Sequence, residues 1–306
     1  MNKRRKQIKG ERGGWNRYKW RKIKRRNRVA CINVSTRLNV KASVAKLGEQ
    51  TQNEDYSFVS DSCIVLSDGA GGCGLYADKW SQYLVDQMDK KKPVLSYEQL
   101  DSWVDGIWEP FYKQYEELAM QSDAMLLKKF YNEGSCATVV AAWITPQNEC
   151  HWITYGDSVL FYYCRNTGKL WYSFGKLADF EQNPYLISSK DPMMPEGYKG
   201  GTFNVEAGSI IFAASDALSH FIMMMYQVSK WSEYKEQLEE LLTEYSTTSA
   251  MIQVARAMNY DFYKDVLAPL LDTAKSNEAF EKHMWRLHND DLLDHDDYTI
   301  AYIEVS

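Results

Sequence analysis

The chain predicts an α+β fold in which antiparallel sheets carry helices on their outer faces. Strand-like and helix-like segments come in blocks (strands, helices, strands, helices, strand), not in the alternation that builds parallel sheets. Several strand candidates, such as Cys63-Ile64-Val65-Leu66 and residues 137–145, are apolar almost without interruption and read as buried. Short turn signals, Pro146-Gln147-Asn148-Glu149 and Asn166-Thr167-Gly168, join neighbouring strands.

Residues 1–28 mix basic side chains with Trp15, Tyr18 and Trp20, lack apolar periodicity and read as a flexible arm. Apolar and β-branched residues then predict strands over 29–35 and 40–45. A polar loop over 47–55 leads to strands at 56–59 and 63–66, with Ser60-Asp61-Ser62 as the turn between them. Trp80, Leu84 and Met88 recur at four-residue spacing and predict a helix over 77–91. Residues 97–131 are helical with an interruption near Pro110, and Gly134 closes them as a C-terminal glycine does. Strands follow at 137–145, 150–155, 158–164 and 169–174, then a loop-rich stretch over 175–200. Strands at 202–205 and 209–214 flank Ala207-Gly208. Helices are expected over 220–228, 231–245 and much of 250–287, and an alternating strand over 298–305 ends the chain.

With 306 residues, high aromatic content and few prolines, the body can build a sizeable core. No stretch approaches the roughly 18 consecutive apolar residues of a membrane span, and no apolar segment follows the basic start as in a secretory signal. None of the six cysteines forms a Cys-x-x-Cys pair, and most lie in apolar strand-like runs. Buried free thiols in a cytoplasmic protein are expected, not a zinc site or disulfide framework. Charge is uneven. Residues 1–28 hold 14 Lys/Arg and a single acid, Glu11, leaving 22 basic and 40 acidic residues on the body, a formal charge of −18. A basic arm on an acidic body suggests a separate interaction segment for a polyanion, nucleic acid or anionic membrane.

The most informative stretch is Asp68-Gly69-Ala70-Gly71-Gly72, directly after a buried strand. Glycine weakens regular structure and is tolerated where backbone turns tightly or approaches a ligand. The carboxylate is thus presented at a strand end beside exposed carbonyls, the oxygen donors hard divalent cations prefer. Other strand ends repeat the pattern: Asn53-Glu54-Asp55, Gly156-Asp157-Ser158, Ser215-Asp216-Ala217 and Asp296-Asp297-Tyr298-Thr299. Each alone reads more readily as a cap or turn carboxylate than as a ligand. Carboxylates converging on one end of a sheet, however, repel one another unless cations neutralise them.

In this order the motifs resemble those of the metal-dependent protein phosphatases, the type 2C serine/threonine phosphatases, in their bacterial branch. The resemblance rests on Asn53-Glu54-Asp55, residues 66–72, Gly134-Ser135-Cys136-Ala137-Thr138, Gly156-Asp157-Ser158, Ala214-Ser215-Asp216 and residues 296–299. It implies a four-layer α/β/β/α sandwich, two antiparallel sheets flanked by helices, for a domain over 29–306. It also implies two Mn²⁺ or Mg²⁺ ions at one end of the sandwich, with a third more weakly held. Asp68 would bridge both metals. Glu54 and the Gly69 carbonyl would serve one of them, Asp216 and Asp296 the other, and Asp157 the third. Asp55 and Asp297 would support these ligands. The implied chemistry is in-line attack on phosphorus by a water that the cations acidify, with no protein nucleophile. Phosphoserine or phosphothreonine proteins are the implied substrates, and a cognate kinase a partner.

The match departs in places. Gln50 stands at the substrate-phosphate position, where the family usually has Arg, and a neutral amide lacks the charged bidentate fork. Val159 follows the Gly156-Asp157-Ser158 motif where Arg is common. Ala217 replaces a Gly, and Cys73 a His. His295 adjoins Asp296 and reads either as a loop residue or as a proton shuttle. Residues 217–295 are long and helical, forming either a docking flap or an extra packing layer. Gln50 leaves open a phosphatase-like binding protein with weak or no turnover. A third reading, in which the arm makes the protein a polyanion binder, is opposed by the acidic body.

The arm has too little apolar surface to offset chain entropy and is expected to be dispensable for catalysis. A chain starting at Val29 should hydrolyse a small phosphate ester at the full rate while losing salt-sensitive retention on RNA or anionic lipid. Absence of such retention by the full chain at low salt would exclude a polyanion anchor. Unfolding of the shortened chain would place the domain boundary earlier.

Overall fold

The computed structural model describes residues 37–306 apart from Tyr245. The basic segment 1–28 and the strand expected over 29–35 lie outside the described residues.

In chain order the strands are β1 (Arg37–Val44), β2 (Tyr56–Ser60) and β3 (Cys63–Ser67), followed by helices α1 (Ala77–Gln87), α2 (Tyr97–Met120) and α3 (Ala124–Glu133). Strands β4 (Cys136–Ala137), β5 (Val139–Ile144), β6 (Glu149–Tyr155), β7 (Val159–Cys164), β8 (Lys169–Tyr172), β9 (Ile187–Ser188), β10 (Tyr198–Asn204) and β11 (Ser209–Ala214) come next. Helices α4 (Asp216–Ser229), α5 (Trp231–Leu241), α6 (Thr247–Met258), α7 (Ala268–Thr273) and α8 (Asn277–Asn289) precede the last strand, β12 (Tyr298–Val305).

Two five-stranded sheets result, ordered β1-β12-β11-β7-β8 and β10-β6-β5-β3-β2, and every strand pair in them is antiparallel. Side chains alternate along each strand, and here both faces are buried. On β3, Cys63 and Val65 pack with α1 and α2, whereas Ile64 and Leu66 meet the other sheet. On β11, Ile210, Phe212 and Ala214 face α4 and its neighbours, whereas Ile211 and Ala213 point between the sheets. Strands buried on both sides must be apolar at every position, which is why their runs are continuous in sequence. The fold is therefore a sandwich of two antiparallel sheets with a helical layer on each outer face.

Several segments depart from the sequence expectation. The helix over 97–131 does not break at Pro110: α2 runs through it to Met120, and the chain turns at Gln121–Asp123 instead. Proline removes one N–H, which leaves the carbonyl four residues earlier, at Gly106, without that donor. Both residues lie on the exposed face, where water can serve the carbonyl. Asp123 then caps α3 by accepting from the Met125 and Leu126 N–H groups, and Gly134 ends it at φ 67°. Helix α1 stops at Gln87, four residues early, and β10 starts at Tyr198, four residues before the predicted strand.

Ile303 is fully buried in the layer between the sheets. Ile303→Ala should cost about 2–5 kcal/mol in denaturant unfolding. A loss of less than about 1 kcal/mol would show that this layer is not tightly packed.

Candidate active site

The strand ends are fastened to one another by short side chains. The Ser67 hydroxyl, at the end of β3, donates to the Thr138 carbonyl at 2.6 Å. The Asp68 N–H donates to Thr138 Oγ1 at 3.1 Å, and the Thr138 N–H donates to the Asp68 carbonyl at 2.8 Å. Asp68 is thus held where β3 leaves the sheet. The next residue approaches other backbone closely. The Gly69 N–H donates to the Glu54 carbonyl at 3.1 Å, and a Cβ here would stand 2.7 Å from the carbonyl oxygens of Glu54 and Ala77. The Gly71 N–H donates to Glu54 Oε2 at 3.2 Å, and a Cβ there would overlap that carboxylate. The glycines therefore allow Glu54 to lie against the turn after Asp68.

The other sheet delivers its acids in the same way. The Ser215 N–H donates to the Thr299 carbonyl at 3.1 Å, and the Thr299 N–H returns a bond to Ser215 Oγ at 3.0 Å. This locks the end of β11 to the start of β12. Asp216, the first residue of α4, benefits from the positive end of the helix dipole. Its N–H stands 3.4 Å from Asp68 Oδ2. Asp297 accepts from the Lys46 N–H at 2.9 Å and from the Glu54 N–H at 2.7 Å. One carboxylate thereby pins both ends of the loop between β1 and β2. Asp296, beside it, pairs with Lys46 Nζ at 3.1 Å. A 2.7 Å bond between Thr138 Oγ1 and Ser158 Oγ ties in the Gly156-Asp157 turn.

Glu54, Asp55, Asp68, Asp157, Asp216, Asp296 and Asp297 are thus brought to one end of the sandwich, as the motif order implied. Burial, joined by the charges of Asp55, Asp216, Asp157 and Asp296, pushes Asp68 well above the usual carboxylate range. Burial with Asp157, Asp296 and Asp55 does the same to Asp216. Asp55, only 6% exposed, is pushed up to about 7 by burial and by Asp297. Asp157 is pushed up to about 6 by burial and by Asp296. Glu54 and Asp297 are raised chiefly by burial. The Thr299 and Ser215 hydroxyls and the Asp68 carboxyl lie beside Asp55 and partly offset that rise.

This donor set fits hard divalent cations: it is all oxygen, dense in carboxylates, and short of positive charge. Among the described residues no group of three or more Asp, Glu, His or Cys side chains already stands in ligand geometry. The carboxylates are turned to local donors: Asp216 Oδ1 to the Ala217 N–H at 2.5 Å, and Asp296 Oδ1 to the Asp297 N–H at 2.8 Å and to Lys46.

The departures from the motifs have structural contexts. Gln50 lies exposed in the β1–β2 loop. Val159 is fully buried in the core beneath α4, where an Arg would be desolvated. Cys73 is exposed, and His295 pairs with Glu49 Oε1 at 3.0 Å on the surface. Sequence reasoning missed two features. One is Lys46, which carried no motif. The other is a trio in which buried His220 meets the partly exposed Asp294, Nδ1 to Oδ2 at 2.7 Å, and buried Thr248, Nε2 to Oγ1 at 3.2 Å. These residues and Phe180 line a cavity of about 430 Å³ that also touches Asp216 and Asp296. His220 and Thr248 lie 28 residues apart on different helices, so no local spacing could reveal them.

No protein-family model matches the sequence, and no curated protein matches it. Solved structures do. The serine/threonine phosphatase PstP/Ppp of Mycobacterium tuberculosis is similar over 88% of this chain and 99% of its own, with a TM-score of 0.51 at 15% identity. The catalytic domain of PstP in complex with two manganese ions aligns over 88% and 98%, with a TM-score of 0.48 at 16% identity. PppA of Pseudomonas aeruginosa, a regulatory component of its T6SS, aligns over 89% and 99%, with a TM-score of 0.48 at 14% identity. The sandwich is therefore the fold of the PstP/Ppp phosphatase, in agreement with the type 2C resemblance of the motifs.

The raised carboxyls fix a sign for pH dependence. The folded protein holds protons on Asp55 up to about pH 7, whereas the unfolded chain loses them near pH 4. Stability without metal should therefore fall as pH rises through that window. His283, pushed down to about 4 by burial, acts in the opposite sense only below about 6.5. Between pH 6.5 and 8, in chelator, the melting temperature should decline. Asp55→Asn should lessen the decline, and Mn²⁺ should raise the melting temperature most at pH 8. A melting temperature that rises over this range, or ignores Mn²⁺, would contradict the clustering of these charges.

Proposed function

We propose that this protein is a Mn²⁺- or Mg²⁺-dependent phosphoprotein phosphatase acting on phosphoserine or phosphothreonine. The observation that carries the reading is the convergence of seven carboxylates from several strand ends, with Asp68 and Asp216 held well above the usual carboxylate range by burial and by one another's neighbours. Asp68, Glu54 and the Gly69 carbonyl would hold one ion, Asp68, Asp216 and Asp296 a second, and Asp157 a third. Bound there, the cations supply neutralisation of phosphoryl charge and a water acidic enough to lose its proton near neutral pH.

The chain's own residues orient and insulate that chemistry. Asp297 fixes the loop that carries Glu54, and the Ser215–Thr299 pair fixes Asp216 against Asp68. Asp55 adds charge behind Asp68. A thiol-based route is disfavoured by the same burial. Cys63 is pushed up to about 12 and Cys136 to about 11, and Cys150 rises as well, so none of these is a thiolate nucleophile at neutral pH. Among the described residues no helix is long and apolar enough to cross a membrane. A phosphoprotein in aqueous contact with the open end of the sandwich is the partner this reading requires.

A second reading, a phosphatase-like binding protein with little turnover, is favoured by the neutral Gln50. One assay separates them. With added Mn²⁺ the protein should hydrolyse an aryl phosphate and stop in chelator. Asp68→Asn should lower the rate by about two orders of magnitude or more, because it removes charge where phosphoryl charge must be balanced. Chelator-resistant hydrolysis, or an Asp68→Asn protein of normal rate, would refute the proposal. Mn²⁺ binding without turnover would support the second reading.

A further inference from the structure

Little positive charge faces the cavity beside Asp216 and Asp296. The cavity beside Asp216 and Asp296 is lined by carboxylates, hydroxyls, His220 and Phe180, with no lysine or arginine among its described residues. Lys46 stands at the rim. Its Nζ lies 3.1 Å from Asp296 Oδ1, its side chain is 30% exposed, and its charge also acts on Asp297 and Glu54. Its backbone is held by the same Asp297 carboxylate that holds Glu54. The ammonium is therefore anchored by its own main chain at the site and reaches it on a flexible stem.

A phosphoryl dianion is oriented best by a cationic donor in addition to metals. Gln50, the position that sequence assigns to the phosphate, is exposed and neutral. Lys46 and the Asp297 N–H both use Asp296 Oδ1. A divalent ion at this carboxylate would compete with the ammonium for its negative charge, and the weakened pair would leave Lys46 a mobile donor beside the site.

We propose that Lys46 is the residue that grips the substrate's phosphoryl group, released from Asp296 when the metal centre fills. This inference rests on the phosphatase reading. A lysine grips as a point charge with rotatable donors, not as the planar fork of an arginine, so one phosphoryl oxygen is held at a time.

The test reads phosphate binding apart from turnover. Inorganic phosphate is titrated calorimetrically into the Mn²⁺-loaded protein, and Mn²⁺ into the metal-free protein. Lys46→Gln should weaken phosphate about tenfold or more, leave Mn²⁺ affinity equal or tighter because a competing ammonium is gone, and raise KM more than it lowers kcat. Lys46→Arg should restore phosphate affinity, and a melting curve for each variant excludes misfolding. Unchanged phosphate affinity with tighter Mn²⁺ would reduce Lys46 to a counter-ion of Asp296 and overturn the inference, as would a wild-type protein that binds no phosphate. Hydrolysis of p-nitrophenyl phosphate is read in parallel. Turnover with Lys46-independent phosphate binding sinks the inference alone, and Lys46-dependent phosphate binding without turnover sinks the phosphatase reading alone.

Discussion

Like charges facing one another out of water are the constraint on which this structure turns. Asp68 and Asp216 are half-buried, and each lies in the field of Asp55, Asp157 and Asp296. At the distances and low polarity of such a site, mutual repulsion and lost hydration both favour the protonated form. A fold selected only for stability has no use for this arrangement, since apolar residues of similar volume pack at less cost. In the proposed function, divalent cations would offset that repulsion. Asp216 meets a backbone N–H and Asp296 a lysine.

The rest of the fold serves to hold those charges together against repulsion. Two sheets packed through Ile64, Leu66, Ile211, Ala213 and Ile303 fix the directions in which β3, β11 and β12 end. Hydroxyls then set the last ångström. Ser67 and Thr138 position Asp68, and Ser215 and Thr299 position Asp216. Asp297 spans two loop amides. These are short, stiff side chains with few rotamers to lose, so the bonds they make cost little entropy. The helical layers work from behind: α4 is buried from Ala217 to Gln227 and carries Asp216 at its head.

Much of this was legible in the sequence, for a physical reason. Strands buried on both faces leave continuous apolar runs, so their ends are easy to find, and an Asp at such an end is conspicuous. Asp68, Asp157, Asp216 and Asp296 were read that way. The positions of β2, β3, β11 and β12 follow from the same runs. What the sequence hid lies where chain neighbours do not decide. Pro110 signals a break, yet its partner carbonyl at Gly106 faces water and α2 continues. His220 sits in an apolar helical stretch and shows its character only once Asp294 and Thr248 arrive from elsewhere. Lys46 belongs to a polar loop with no pattern, and its place is set by Asp297, 251 residues away.

That long-range bond also explains why the loop between β1 and β2 matters more than its irregular sequence suggests. Asp297 receives the amides of both Lys46 and Glu54, so a change at one is felt at the other through a single carboxylate. The start of β12 joins this loop to Asp216 through Thr299 and Ser215. Lysine, proposed ligand and helix head are thus coupled through three hydrogen-bonded residues, without a rigid element between them. Coupling of this kind transmits small displacements, because each bond tolerates only a few tenths of an ångström before it weakens. Filling the acidic centre would draw Asp296 inward, and the pair with Lys46 is the contact that must yield first. At 3.1 Å it is longer than the two amide bonds to Asp297, at 2.9 and 2.7 Å.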